Sequence, residues 1–233
     1  MARKVSAAGV LDRLEEAYGH LVDPGDPIEA GVLALLAAHA PKLAQEKTRD
    51  ALRESFVDWN EARVADPWDV TNAIGAGGDA EARAFARALL RFLASFHNMF
   101  NRVSFDLPPS EQPPDIAVAL TKMRGAPAYV VAVVLAARDP EGGWHPVAET
   151  VKAAQAARLA PRTTSAPKVA KALADAVPPQ DRLRAHYLLT RYGMREKDAP
   201  DPLAEGAPKP AKKAVKAPKA VKKATSRSQG KGA

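Results

Sequence analysis

A glycine-centred turn between two apolar segments is the part of the chain best suited to binding a phosphate. Gly125 lies in the connection between the segments 116–123 and 128–137, which we predict to be helices. Glycine accepts the backbone conformation of a tight turn, and a helix begins with unpaired amides at the positive end of its dipole. An ordinary αα-hairpin explains the same spacing without any ligand. The residues of the predicted phosphate site are Lys122, Arg124, Gly125, Ala126 and Ala128.

Other catalytic chemistries find little support in the residue types. The chain has no cysteine, which excludes disulfides, thiolate catalysis, cysteine-ligated zinc and iron–sulfur clusters. Its five histidines are scattered without the spacing of a metal-binding motif. The glycines at 75–78 follow no strand, so we interpret them as a flexible turn. We therefore expect no metal and no cofactor.

The positive charge of the chain is concentrated at its C-terminal end. Residues 206–233 contain nine Lys or Arg and no acid, so the net charge of +7 leaves residues 1–205 at −2. This Lys/Ala/Pro-rich composition resembles linker-histone-type tails, and we expect residues 199–233 to be disordered and to bind a polyanion. If roughly six charges displaced counterions from DNA, log K would fall with log salt at a slope of about −5. A solubility tail, RNA binding and binding to an anionic membrane face remain alternatives. The lysines predicted to contact DNA are Lys212, Lys213, Lys216, Lys219, Lys222 and Lys223.

The remaining chain predicts an all-α domain over residues 1–198. Alanine is abundant, apolar residues recur at helical spacing, and no segment alternates as a strand would. We expect Trp59 and Trp68 in the core and Trp144 at the surface. The longest uncharged apolar run, 126–137, is too short to span a bilayer, and no signal peptide is visible, so we expect a cytoplasmic protein, nucleoid-associated if bacterial. The predicted helices are 6–21, 28–39, 45–56, 58–64, 68–74, 81–100, 116–123, 128–137, 147–159, 166–176 and 181–192.

The segment MRGAPAYVVAVVLA at 123–136 resembles the helix-hairpin-helix of endonuclease III-type DNA glycosylases, whose pattern is near LPGVGxKTAxxVL. Segments at 26–40, 56–64, 145–160 and 186–193 match the same family in order, so the resemblance covers about residues 20–195. It implies a helix-hairpin-helix glycosylase-like fold of two lobes with a cleft near the hairpin. It also implies base excision repair of double-stranded DNA, in which a base is flipped out of the duplex.

Two positions that carry the family's chemistry differ in this chain. The lysine that forms a Schiff base in bifunctional members corresponds to Tyr129, and a phenol cannot form that adduct. The catalytic aspartate corresponds to Ala148, which can neither take a proton nor stabilise a cation. Glu149 is adjacent, but one helical step turns it about 100° away. Glu149 is therefore a weak candidate for catalysis, and an acid favoured by the helix dipole is the simpler interpretation.

Two further departures concern DNA contact. Pro127 occupies the place of the motif's second glycine and removes one amide donor. The position of the glutamine that fills the gap left by a flipped base corresponds to His39, which could plug that gap or simply end its helix.

Three functions follow as hypotheses. The first is a DNA-binding protein of the endonuclease III superfamily without glycosylase or lyase activity. The second is an active monofunctional glycosylase that uses Glu149 or another acid. The third is a protein-interaction scaffold that contacts DNA only through its tail, which the net charge of −2 outside the tail favours. The lesion, protein partners and oligomeric state are not specified by the sequence.

Overall fold

The computed structural model describes residues 6–106, 116–162, 165–195 and 198–204 as α-helices joined by short connections. No strand occurs in these ranges, which confirms the all-α class. The tail lysines and the loop at 108–114 lie outside them. The helices are α1 (Ala7–Tyr18), α2 (Pro27–His39), α3 (Gln45–Ser55), α4 (Trp59–Val64), α5 (Pro67–Ala73), α6 (Ala80–Phe100), α7 (Ile116–Thr121), α8 (Ala128–Arg138), α9 (Ala148–Ala156), α10 (Ala166–Ala176) and α11 (Arg182–Met194), with a 3₁₀ turn at Pro179–Asp181.

Short polar side chains fix where five of these helices begin. Each accepts a hydrogen bond from a backbone amide in the first turn, which satisfies a donor that the helix itself leaves unpaired. Proline follows the cap in α2 and α5, where its missing N–H costs nothing. The capping residues are Ser6, Asp26, Asp58, Asp66 and Asp79.

The first core is formed by buried side chains of α2 to α8. The long helix α6 supplies Phe85, Phe92 and Phe96, all with 0 % exposure. A Cβ added at Gly31 of α2 would lie 2.9 Å from both Phe92 Cζ and Val134 Cγ2. The missing side chain at Gly31 therefore lets α2 pack directly against both α6 and α8.

The second core is formed by α1, α9, α10 and α11 with Trp144. Leu33 of α2 belongs to this core, whereas Ile28 and Leu35 of the same helix belong to the first. Residues 198–204 pack against the second core through Leu203, and Asp201 accepts a hydrogen bond from the Tyr192 hydroxyl at 3.0 Å. The first residues of the predicted tail segment are thus held by the helical domain.

Two of the three tryptophans lie where the sequence did not predict them. Trp144 is only 6 % exposed, because its loop folds onto α11 and the indole stacks on His186 with ring centroids 4.1 Å apart. Burial, with the positive charges of His145 and Arg182, lowers the pKa of His186 to about 3. Trp68 is 54 % exposed because α5 turns Val70 and Thr71 inward instead. Trp59 is half-buried against the first core, as predicted.

A carboxylate is buried in α2 beside two arginines of α3. Glu29 is 0 % exposed, accepts a hydrogen bond from the Arg53 guanidinium, and has its Oε1 3.5 Å from Arg49 Nε. Burial raises the pKa of Glu29 to about 7, although the nearby arginine charges act in the opposite direction. Removing a carboxylate from water costs more here than its arginine partners return.

Candidate functional site

The turn between α7 and α8 is held in place by Gly125. Its φ of +93° is in the left-handed region that only glycine adopts without strain. A Cβ at this position would lie 2.5 Å from Ser95 Oγ and 3.3 Å from Arg91 Cγ. The glycine is therefore required twice, once for the turn itself and once because the turn lies directly on α6.

Unpaired backbone amides line the outer side of this turn. Pro127 caps α8, and its carbonyl accepts from the Val130 and Val131 amides at 3.0 and 3.2 Å. Within the described ranges, the preceding donors have no hydrogen-bond partner, so they are available to an anion. They are the amides of Gly125, Ala126 and Ala128.

Positive side chains flank these amides. Lys122 and Arg124 are exposed, as are Gly125 and Ala128, while Ala126 is half-buried. Neither Lys122 nor Arg124 makes an ion pair with any carboxylate that the structure describes. The structure thus brings together the five residues predicted near the hairpin on one exposed turn, and the site can hold an anion such as a phosphate group.

Glu149 of α9 and Gly193 of α11 form a closed contact, and together with the neighbouring Tyr129 of α8 we call it the α9–α11 junction. Tyr129 and Ala148 are the two positions where the sequence resemblance expects catalytic residues. Tyr129 is 7 % exposed, and burial first and the charge of Glu149 second raise its pKa to about 12. A Cβ at Gly193 would lie 2.2 Å from the Glu149 carbonyl oxygen, so α9 and α11 touch through their backbones. No space remains between these helices for a substrate at that point.

Ala148 and Glu149 are the first two residues of α9. The Thr150 hydroxyl accepts from the Val147 amide at 3.0 Å and so caps the helix. Ala148 is exposed and Glu149 is half-buried on the side of Tyr129. The carboxylate of Glu149 thus acts on the buried phenol, which the sequence did not indicate.

A cavity of about 430 Å³ lies between the hairpin and the loop that precedes α9. Its described lining is apolar apart from Thr121, Trp144 and His145, and it includes neither Tyr129 nor Glu149. The cavity therefore contains one ionisable side chain, His145, and no carboxylate. Its main wall is one face of α8, made by Ala128, Val131, Ala132 and Leu135.

His39 is the last residue of α2 and is half-buried, which lowers its pKa. Ala38 and Pro41, on either side of it, line a separate pocket of about 250 Å³ with Tyr187 and Arg191. That pocket shares no described lining residue with the cavity beside the hairpin. The role predicted for His39 at a flipped base stays a prediction.

Within the described ranges, no group of three or more His, Asp or Glu side chains is arranged to hold a metal ion. No described helix combines the length and apolar character needed to cross a bilayer.

The chain matches no known protein-family profile and no curated protein. Solved structures similar to it include a trapped endonuclease III–DNA covalent intermediate in an estranged-adenine complex and a non-covalent endonuclease III–DNA complex. Each is 18 % identical to this chain with a TM-score of 0.48. The first match covers 78 % of this chain and 82 % of the other, and the second covers 82 % and 86 %.

Proposed function

We propose that the helical domain binds double-stranded DNA and that the hairpin turn holds a phosphate of one strand. The observation that carries this proposal is the combination of unpaired amides with Lys122 and Arg124 on one exposed turn, fixed by Gly125. Backbone amides and unpaired cations are the groups that proteins use to hold a duplex by its backbone.

A polymer suits the chain better than a small anion. Lys122, Arg124 and Gly125 are exposed on the turn, where they can hold one group of a larger ligand. The nine basic residues at 206–233, with no acid among them, favour a polyanion that the folded domain and the tail bind together.

We further propose that the protein belongs to the base-excision-repair superfamily and performs neither glycosylase nor lyase chemistry. Tyr129 stays protonated because its pKa is about 12, and a phenol forms no Schiff base with a sugar. Ala148 brings no carboxylate to the start of α9, and the neighbouring cavity contains none. The chain thus keeps groups that bind a duplex and lacks those that cleave it.

The test uses the full chain and the double variant Lys122→Gln/Arg124→Gln. Fluorescence anisotropy on duplexes with and without an abasic-site analogue measures the salt dependence of binding. Two lost phosphate contacts should reduce the slope of log K against log salt by about 1.8. The matched control is Lys47→Gln, an exposed and unpaired lysine of α3. If the hairpin variant binds as the wild type does, the hairpin proposal is overturned and the duplex is held elsewhere, which under the scaffold hypothesis is the tail.

An excision assay on damaged duplexes decides the catalytic part of the proposal. We expect no release of bases and no strand cleavage by the wild-type chain. Glu149 lies beside Tyr129 and is the carboxylate to remove if activity is found. If the wild-type chain releases bases and Glu149→Gln abolishes this release, the proposal of an inactive protein is overturned and the protein is a monofunctional glycosylase.

A further inference from the structure

An arginine face runs along α6 on the exposed side of the first core. Arg83, Arg87 and Arg91 are four residues apart, so they lie on one side of the helix, and all three are exposed. Residues 82–105 contain no Asp or Glu at all. The acidic groups at the start of α6 are engaged elsewhere, since Asp79 caps the helix and Glu81 pairs with Lys42 at 2.5 Å.

These arginines have no acidic partner among the residues that the structure describes. Arg83 donates to the backbone carbonyls of Gly78 and Asp79 at 3.0 and 3.4 Å. The guanidinium groups of Arg87 and Arg91 make no hydrogen bond or ion pair with any residue that the structure describes, although the Arg91 carbonyl accepts from the Ser95 hydroxyl at 2.7 Å. Like charges four residues apart on a helix repel one another. The arrangement therefore works against the helix unless an anionic partner neutralises it.

The arginine face is continuous with the hairpin turn. The position of a Cβ on Gly125 lies 3.3 Å from Arg91 Cγ and 3.7 Å from Arg91 Cδ, so the Arg91 side chain starts beside the turn. From Arg91 back to Arg83 the helix rises about 12 Å. Guanidinium groups therefore extend away from the turn over more than two helical turns. All three side chains are exposed along one row, so the surface fits an extended polyanion rather than a small molecule.

We propose that the α6 arginine face extends the hairpin's DNA contact and holds successive phosphates of the duplex backbone without reading sequence. The guanidinium group suits this role because its planar donors can engage two phosphate oxygens at once. The proposal rests on the proposed function, since it assigns a second part of the same DNA-binding surface. Residues 1–205 have a net charge of −2, but the α6 arginine face is itself positively charged.

The experiment measures duplex binding of the full chain by anisotropy as salt is raised from about 50 to 200 mM. The variants are Arg87→Gln, Arg91→Gln and their combination, beside Lys122→Gln/Arg124→Gln and the control Lys47→Gln. Each lost contact should lower the slope by about 0.9, which shrinks the affinity loss over this salt range about 3.5-fold. Arg87→Lys/Arg91→Lys keeps the charge and should keep the slope. Circular dichroism verifies that each variant is folded.

The outcomes separate the two proposals. Slopes that fall for Arg87 and Arg91 but not for Lys47 support the arginine face. If only the hairpin variant lowers the slope, the arginine face is overturned and the hairpin proposal stands. If neither set changes the slope, both are overturned. An equal fall for Lys47→Gln also overturns the arginine face, because binding is then spread over all positive charges.

Discussion

The hairpin turn and the α9–α11 junction both involve the first turn of α8, and they differ in almost every physical respect. Ala128 is exposed beside unpaired amides and unpaired cations, while its neighbour Tyr129 is 7 % exposed against α2 and the first core. At the junction, Gly193 and the Glu149 carbonyl are in direct contact. In the first turn of α8, the side with Ala128 is open to an anion, whereas the side with Tyr129 is packed against other side chains. Under the proposed function, the groups that bind a duplex are thus separate in the fold from the positions at which a cleaving group would be expected.

Gly193→Ala is expected to have the largest effect. The added Cβ would meet the Glu149 carbonyl at 2.2 Å, and backbone cannot rotate away as a side chain can. We expect the free energy of unfolding to fall by about 3 kcal/mol, measured by denaturant titration. DNA affinity of the folded protein should be unchanged. Gly143→Ala, where no atom lies within 4 Å of the added Cβ, should be nearly neutral. If the folded Gly193→Ala protein binds DNA more weakly than the wild type, the α9–α11 junction and the hairpin turn do not act independently, which contradicts this prediction.

Glu29→Gln tests the cost of a charge that the protein buries, in contrast to those it exposes at the hairpin. In the folded protein the pKa of Glu29 is about 7, which lies above its ordinary value. The neutral side chain therefore makes its full contribution to the stability of the fold below about pH 4.5, and this contribution is lost as the pH rises through 7. From pH 4.5 to 7.5 the free energy of unfolding of the variant should therefore rise relative to that of the wild type by roughly 3 kcal/mol, measured by denaturant titration. The exposed Glu16→Gln should show no such trend. A gain in the opposite direction would mean that the arginines outweigh burial.

Gly125→Ala tests whether the open side depends on the turn geometry. Forcing alanine to a φ of +93° and against Ser95 Oγ should cost about 1–2 kcal/mol of stability and weaken DNA binding. Gly75→Ala is the matched control, since its φ is +67° with no atom near the added Cβ. Gly75→Ala should lower the free energy of unfolding and leave the DNA affinity unchanged. Adding Ser95→Gly to Gly125→Ala should recover part of the loss, and equal affinities for both alanine variants would contradict the hairpin site.

Ala148→Asp has the smallest expected effect. Ala148 is exposed at the first position of α9, where a carboxylate interacts favourably with the helix dipole. We expect a gain of about 0.5 kcal/mol in thermal unfolding and no excision of damaged bases. Ala156→Asp at the other end of α9 should lose a similar amount. Excision by Ala148→Asp would show that the junction opens to substrate and that one carboxylate was missing.

The sequence predicted the helices well because their signals are local. Asp26, Asp66 and Pro67 mark helix starts, and the predicted helices agree with the structure to within about three residues at each end. The hairpin turn was predictable for the same reason, since Gly125 and its neighbours are contiguous in the chain.

Contacts between distant segments were not predictable. Arg91 was overlooked because only the folded chain brings it to Gly125, although the acid-free run at 82–105 was a visible signal. Trp144 was misplaced because a glycine-rich loop gives no sign that it will fold over His186. The close contact between the Gly193 and Glu149 backbones depends on how α9 and α11 pack, which the residue types do not indicate.

The placement of α2 in both cores sets how the molecule can adapt to a partner. Leu33 anchors this helix in the second core while Ile28 and Leu35 anchor it in the first, and Gly31 locks it against α6 and α8. Because α2 is packed into both cores, the molecule has no hinge at this helix. If the proposed function holds, the bending needed for a close fit at this place comes from the duplex, so sites that are already flexible or interrupted would be favoured over regular DNA.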